Sequence, residues 1–386
     1  MPFLKLAPSF ADILSAPSAI KLIALSGLLS ISACSTVNED YNPAKKHHNP
    51  AGFQNNYIED IDKSRLDLIR WQIERARAGL PKPPEKPTPV VSADLKFVSA
   101  NNGISQEPAI TWIGHATMLV QMGGLNILLD PIFSDRASPV SFAGPKRYQP
   151  PGISIKDLPR IDLVLLSHNH YDHLDTASVK ALNSQAGGAP LFLVPLGVKK
   201  WFASQGISNV QQMDWWDKQT IKTTVGEVEV HFTPVQHWSA RGPGDRRASL
   251  WGGYALFAPD FHLYFSGDTG YSQDFVDTQK HFANRQTAAL GGGFDMALIA
   301  VGAYAPRWFM KDQHVNPEEA LQIHLDLQAK RSIGVHWGTF DLTDESLDQP
   351  PKDLAIARAA KKLPQEAFDV MAIGQTLKLP RRKAAP

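Results

Sequence analysis

From residue 109 onward, short apolar runs alternate with turn-forming residues, and each run has the length of a strand rather than a helix. Residues 110–113, 117–122 and 125–129 read as a meander, because Gly123-Gly124 supplies a tight turn between the last two. Further runs at 161–166 and 190–194 flank a helical pattern over 176–182. The theme returns at 228–233, 251–258, 262–266, 296–301 and 332–335, with helices expected over 316–327 and 354–362. Two groups of strands with helices outside them predict a layered α/β sandwich spanning 108–380.

The chain ahead of this domain follows other patterns. Leu66, Ile69, Ile73 and Ala76 form one stripe of a predicted helix over 62–78, while Lys63, Arg65, Arg70, Arg75 and Arg77 lie largely off it. The expectation is a stripe packed on the domain and a solvated basic face. Five prolines between 81 and 89 require an extended connector, so 61–107 reads as a helix and linker docked on the domain. Residues 34–60 are polar and aperiodic, as expected of a tether that includes His47 and His48. Before them, Lys21 and the apolar segment 22–31 have the form of a signal peptide ending at residue 33. Its end, Leu29-Ser30-Ile31-Ser32-Ala33-Cys34, resembles a bacterial lipobox with Cys34 as the lipidated residue. The expected location is therefore the bacterial cell envelope, anchored to the bilayer through acylated Cys34, on the outer membrane facing the periplasm.

Composition narrows the class. With 386 residues, 43% hydrophobic, the chain can bury a sizeable core. Its formal charge is +1 and basic residues form no long run with interleaved aromatics, which argues against nucleic acid as a partner. Cys34 is the only cysteine, so an intrachain disulfide is excluded. Nothing in the sequence sets the oligomeric state, and a homodimer is compatible with it.

The chemistry concentrates in Ser167-His168-Asn169-His170-Tyr171-Asp172-His173-Leu174-Asp175, directly after the apolar run 161–166. His168 and His170, two apart in an extended loop, place both rings on one side and can grip one cation. Asp172 and His173 follow after the chain turns and suit a second cation nearby. Imidazole with carboxylate favours zinc or a similar ion, with iron or manganese able to use the same ligands. His237, Asp268 within Ser266-Gly267-Asp268-Thr269-Gly270, and His336 each follow a predicted strand, where a rigid sheet can aim them. His314 lies in a loop pinned by the helix cap Asn316-Pro317-Glu318-Glu319.

The order of these residues resembles the metallo-β-lactamase superfamily, which implies a four-layer αββα sandwich. Longer stretches are similar to the N-acylphosphatidylethanolamine-hydrolysing phospholipase D family: Gly114-His115-Ala116-Thr117, Asp130-Pro131-Ile132-Phe133-Ser134-Asp135-Arg136, Gly144-Pro145-Lys146-Arg147, Asp214-Trp215-Trp216 and the run 302–311. That resemblance implies two zinc ions, one on His168, His170 and His237, the other on Asp172, His173 and His336, with Asp268 bridging. It also implies attack of activated water on phosphorus in line, releasing an N-acylethanolamine and leaving phosphatidic acid, with a membrane phospholipid as substrate. His314, Asp172 and Asp268 are then the catalytic set. His314, Trp201, Arg241 and Tyr304 are the substrate-binding candidates, and His115 is expected to support the site. Two departures, the loop 239–245 and the insertion 288–293, leave the lipid open. A lactonase or thioesterase with the same metal site is the alternative, and a non-enzymatic metal-binding lipoprotein the third reading.

Overall fold

A computed structural model describes residues 38–58, 61 and 63–382. Cys34 and the proposed signal peptide lie outside the described residues. In chain order the elements are β1 (His48–Asn49), β2 (Gly52–Phe53), α1 (Arg65–Ala78), α2 (Leu95–Ala100), β3 (Ala109–Gly114), β4 (Thr117–Met122), β5 (Leu125–Leu129) and β6 (Leu163–Leu165). They continue with α3 (Thr176–Asn183), β7 (Leu191–Pro195), α4 (Lys199–Ser204), β8 (Val210–Met213), β9 (Lys218–Thr223), β10 (Gly226–Thr233), β11 (Gly253–Ala258) and β12 (Phe261–Phe265). The chain ends with α5 (Asp274–His281), β13 (Met296–Ala300), α6 (Arg307–Met310), α7 (Pro317–Asp326), β14 (Ser332–Val335), α8 (Gln349–Ala360), β15 (Phe368–Val370) and β16 (Thr376–Lys378).

The apolar runs are continuous because their strands are covered on both faces. Along β4, Met118, Val120 and Met122 enter one hydrophobic core and Leu119 the other. In β5, Ile127 and Leu129 take the first side and Leu128 the second, and Leu163 and Leu165 of β6 oppose Val164 in the same way. The first core lies between the two sheets, where Phe232, Tyr254, Leu256 and Phe265 meet it from the second sheet. The other core packs the outer face of the first sheet on Val179 and Leu182 of α3 and Phe202 of α4. Leu321 and Ile323 of α7 and Leu354 of α8 cover the far face of the second sheet. The result is the four-layer αββα sandwich.

Each sheet has seven strands, ordered β16-β3-β4-β5-β6-β7-β8 and β15-β14-β13-β12-β11-β10-β9. In both, an antiparallel meander passes into three consecutive parallel pairings, from β5 through β8 and from β12 through β15. The residues themselves show no such repetition. Parallel strands send their carboxyl ends to the same edge, and those ends carry the ligand candidates.

Two regions depart from expectation. The segment read as a tether is folded onto the body: Asn38, His47, His48, Phe53 and Asn55 are buried. The Asp214 carboxylate accounts for much of this, taking hydrogen bonds from His47 Nε2 at 2.7 Å, His48 Nε2 at 2.9 Å and the Lys45 ammonium. The second correction concerns α1. The helix forms, with Ser64 and Asp67 as a reciprocal capping box and Gly79 as a left-handed C-cap. Its apolar stripe, however, faces outward: Leu66 is 77% exposed, Ile69 54% and Ile73 45%. The docked face is Trp71, which stacks on Phe309 at 4.8 Å and donates from Nε1 to Asp344 at 3.0 Å. Such stacking adds about 0.5–1.5 kcal/mol beyond area burial.

Candidate metal centre

The loop after β6 is fixed from below by Asp130, which follows β5. Its carboxylate accepts from Ser167 N at 2.7 Å and Ser167 Oγ at 2.6 Å, and holds His173 Nδ1 at 2.7 Å. With Nδ1 so committed, His173 presents Nε2 to the centre, the usual way a carboxylate sets the tautomer of a metal-ligating imidazole. His237 is oriented likewise, its Nδ1 donating to the Gln313 carbonyl at 2.9 Å. Gly267 lies at φ 57°, and a Cβ there would come within 2.7 Å of Ser167 Cβ and 2.9 Å of the Gly252 carbonyl oxygen. Only glycine lets the β12 end bring Asp268 alongside the β6 loop.

The ligand atoms fall into two groups. His168, His170 and His237 form one, with His170 Nδ1 lying 2.8 Å from His168 Nε2 and 3.4 Å from His237 Nε2. Asp172, His173, His336 and His115 form the other; Asp172 Oδ2 lies 3.0 Å from His115 Nε2, 3.3 Å from His336 Nε2 and 3.5 Å from His173 Nε2. Between them stands Asp268 Oδ2, 3.1 Å from the Nε2 atoms of His173 and His336 and 3.9 Å from those of His168 and His237. The expected ligands therefore converge with Asp268 central.

Electrostatics fit cations. Burial pushes His168 and His237 well below the usual imidazole range and His170 down to about 4, so all three stay neutral with lone pairs to offer. His336 is the reverse: burial would lower it, but Asp268 and Asp172 lift it to about 9, and His173 is lifted well above its usual value. Asp172 and Asp268 remain ionised despite burial because His173 and His336 face them. Protons on two imidazoles thus balance two carboxylates where cations would otherwise do so. Asp268 Oδ1 and His170 Nε2 are buried without a hydrogen-bond partner. This donor set fits two divalent ions of the zinc, iron or manganese type and not calcium or magnesium, which want oxygen ligands.

A family model for a beta-lactamase superfamily domain matches residues 125–337. The chain is 39% identical over 272 residues to N-acyl-phosphatidylethanolamine-hydrolyzing phospholipase D 1 of Caenorhabditis elegans, covering 69% of this chain and 74% of that one. The chain belongs to the N-acylphosphatidylethanolamine-hydrolysing phospholipase D family. A mitochondrial member from Saccharomyces cerevisiae is 37% identical over 259 residues, 67% of this chain and 53% of that protein. Among solved structures, isothiocyanate hydrolase from Delia radicum gut bacteria superposes with a TM-score of 0.54 at 20% identity, over 70% of this chain and 99% of that one. That likeness speaks to the fold alone. As a member of this family the protein is a metal-dependent hydrolase.

Above the centre opens a cleft of about 460 Å³. His170, Asp172, Asp268 and His314 line its depth, with Leu68, Trp71, Phe309, Met310 and Leu342 along its walls and Lys63, Arg65 and Arg246 also bordering it. A larger depression of about 700 Å³ beside Asn38, Lys199 and Lys200 holds none of the metal-ligand candidates. His314 Nδ1 lies 3.9 Å from Asp268 Oδ2, and burial lowers His314 to about 4, so it is a neutral imidazole.

Three residues expected to bind substrate lie elsewhere. Arg241 is spent behind the ligand loop, donating to the Asn169 and Leu174 carbonyls and to Thr176 Oγ1. Its guanidinium lies 4.1 Å from the Tyr171 ring centroid and 4.7 Å from that of Trp201, so Trp201 packs on Arg241 outside the cleft. Tyr304 is buried with its hydroxyl donating to Asp353 of α8. In their place the cleft has Trp238 and Arg246, stacked with the guanidinium carbon 3.9 Å from the ring centroid. Asn55 is not singled out by sequence, and Asp130 enters only as the first residue of a family-like stretch, without a role; its place at the end of an apolar run, as with the ligands, is a further signal.

Proposed function

We propose that the protein is a di-zinc phosphodiesterase of the phospholipase D type, acting on N-acylphosphatidylethanolamine-like lipids. The observation that carries this reading is the cleft itself: a two-ion donor set, apolar side chains and basic side chains line the same opening. Two such ions, when bound, supply a water-derived nucleophile near neutral pH and withdraw charge from the phosphoryl oxygens. Asp268 holds both ligand groups in register. Neutral His314 stands beside them with an N–H to donate to a phosphoryl or leaving-group oxygen. Family membership supports the same bond, since the named relatives hydrolyse N-acylphosphatidylethanolamine. A lactonase or thioesterase would be better served by a small polar pocket.

The outward stripe of α1 supports a membrane phospholipid as partner. Leu66, Ile69 and Ile73 are exposed beside Arg70, which lies 4.6 Å from the Trp308 ring, while Leu68 and Trp71 of the same helix line the cleft. A half-apolar, basic helix at a lipid-binding cleft suits the headgroup boundary of an anionic bilayer. No helix among the described residues is long and apolar enough to cross a membrane. Anchoring through acylated Cys34 at the outer membrane remains a proposal from the sequence.

The test is product identification with metal-loaded protein on N-acylphosphatidylethanolamine, phosphatidylethanolamine and a lactone, each presented in anionic vesicles. Release of N-acylethanolamine is expected, and replacing Leu66, Ile69 and Ile73 with Ser should lower vesicle binding while sparing hydrolysis in detergent micelles. Turnover of the lactone alone overturns the reading.

A further inference from the structure

We infer that the segment 38–58 is a strap that positions the metal ligand His237, with Asn55 as the positioning residue. The inference rests on the two-ion reading of the centre. His237 lies beyond the end of β10, outside the ladder that would otherwise satisfy its backbone. Asn55 takes over both groups: its Oδ1 accepts from His237 N at 3.0 Å and its Nδ2 donates to His237 O at 3.0 Å. The same Oδ1 accepts from Trp251 Nε1 at 3.1 Å, tying this junction to a fully buried ring of the core. One amide side chain therefore acts as a strand edge for a single residue, and that residue is a ligand. Backbone groups of a buried ligand that lack such partners are costly, and their loss lets the backbone that carries the ring shift.

The strap is held at both sides of Asn55. Upstream, Lys45, His47 and His48 converge on Asp214, and the His47 ring stacks on Trp215 at 4.4 Å. Asn38 Nδ2 donates to the Gly52 carbonyl at 2.8 Å, and Phe53 N donates to the Arg247 carbonyl at 2.9 Å. Downstream, Asn56 Nδ2 donates to Asp274 at 2.8 Å. Outside the strap's own Asn38–Gly52 bond, these partners lie on three separate parts of the body, so the strap sums small loop contacts into one fixed position for Asn55. The prediction is asymmetric: the ion on His168, His170 and His237 depends on the strap, whereas the ion on Asp172, His173 and His336 does not.

The experiment is timed release of bound metal to a chelator, with stoichiometry by elemental analysis, on the full chain. The unaltered protein should hold two ions. Asn55→Ala should release one of them roughly 10–100-fold faster, the range typical of groups that orient a metal ligand, and retain the other at the original rate. Asn55→Asp keeps the acceptor for His237 N and Trp251 but loses the donor, and should fall between; it also serves where the alanine variant folds poorly. Glu39→Ala, which breaks only an exposed pair with Lys200, is the control and should change nothing. If both variants lower the melting temperature but release both ions at unaltered or equally altered rates, Asn55 is merely structural and the inference fails. If the unaltered protein never holds two ions, the failure belongs to the two-ion reading instead.

Discussion

Among the described residues, two buried clusters of histidine and aspartate solve opposite problems. In the centre, Asp268 Oδ2 lies 3.1 Å from the Nε2 atoms of His173 and His336 and 3.9 Å from those of His168 and His237, so four imidazoles surround one carboxylate oxygen. Asp268 Oδ1 has no hydrogen-bond partner. In the strap clasp, His47 and His48 touch Asp214 at 2.7 and 2.9 Å, and Lys45 supplies a cation of the protein's own. Residue type is the same in both. What separates them is satisfaction and lysine: the central carboxylate keeps an oxygen with no protein partner, whereas both oxygens of Asp214 are taken by His47, His48, Lys45 and the Trp215 N–H. An ammonium in the clasp takes the place a divalent ion would need.

The sharpest way to break this comparison is to remove one carboxylate from each cluster. Asp268→Asn should lower hydrolysis by at least about 10³-fold, as expected when a group shared by reacting centres is lost. The variant should still fold and melt in one cooperative transition, because a like-sized amide fills the same space. Full activity in purified, metal-loaded Asp268→Asn protein would remove Asp268 from the centre. Asp214→Asn should do the converse, costing stability with ion content retained at saturating metal. The loss should be about 3 kcal/mol, the low end for breaking a buried charge pair, since Lys45 can turn to solvent. Urea unfolding followed by fluorescence measures it; a difference under about 0.5 kcal/mol would show that the clasp does not hold.

The sequence disclosed the first cluster and hid the second, and the reason is local geometry. His168, His170, Asp172 and His173 announce themselves because a strand precedes them and their spacing is short. His237, Asp268 and His336 share the strand-end setting, so the sheets assemble what the pattern sets out. His47 and His48 follow no apolar run, and their partner Asp214 is more than 160 positions away, so nothing nearby marks them. Asn55 is harder still, because it recognises the backbone of His237, and any residue type offers the same N–H and C=O.

The α1 stripe shows another limit. Periodicity finds the apolar face but not what covers it, and here Trp71 with Arg75 docks the helix while Leu66, Ile69 and Ile73 look outward. Helix α8 begins five residues before the predicted start. Pro350 and Pro351 lie in its first turn, where missing N–H groups cost nothing.

A smaller effect separates the clusters by acidity. Burial alone would raise the Asp214 pKa, but hydrogen bonds from His47 and Lys45 hold it well below the usual carboxylate range. A carboxylate depressed on folding contributes stability that is complete above its unfolded value, near 3.9, and fades as pH falls through the folded one. The stability difference between the parent and Asp214→Asn should therefore be constant from about pH 7 down to about pH 5. Below about pH 4 it should shrink steadily, since the unfolded parent then takes up a proton at Asp214 that the folded parent still refuses. Taking the difference cancels the titration of Asp172 and Asp268, which both proteins share and which falls in the same acidic range. Urea midpoints at half-unit pH steps, with metal removed from both proteins, read the curve directly. A difference that stays constant to pH 2 would mean the clasp works by hydrogen-bond geometry and not by charge, and the contrast between the two clusters would then rest on the unpartnered Asp268 Oδ1 alone.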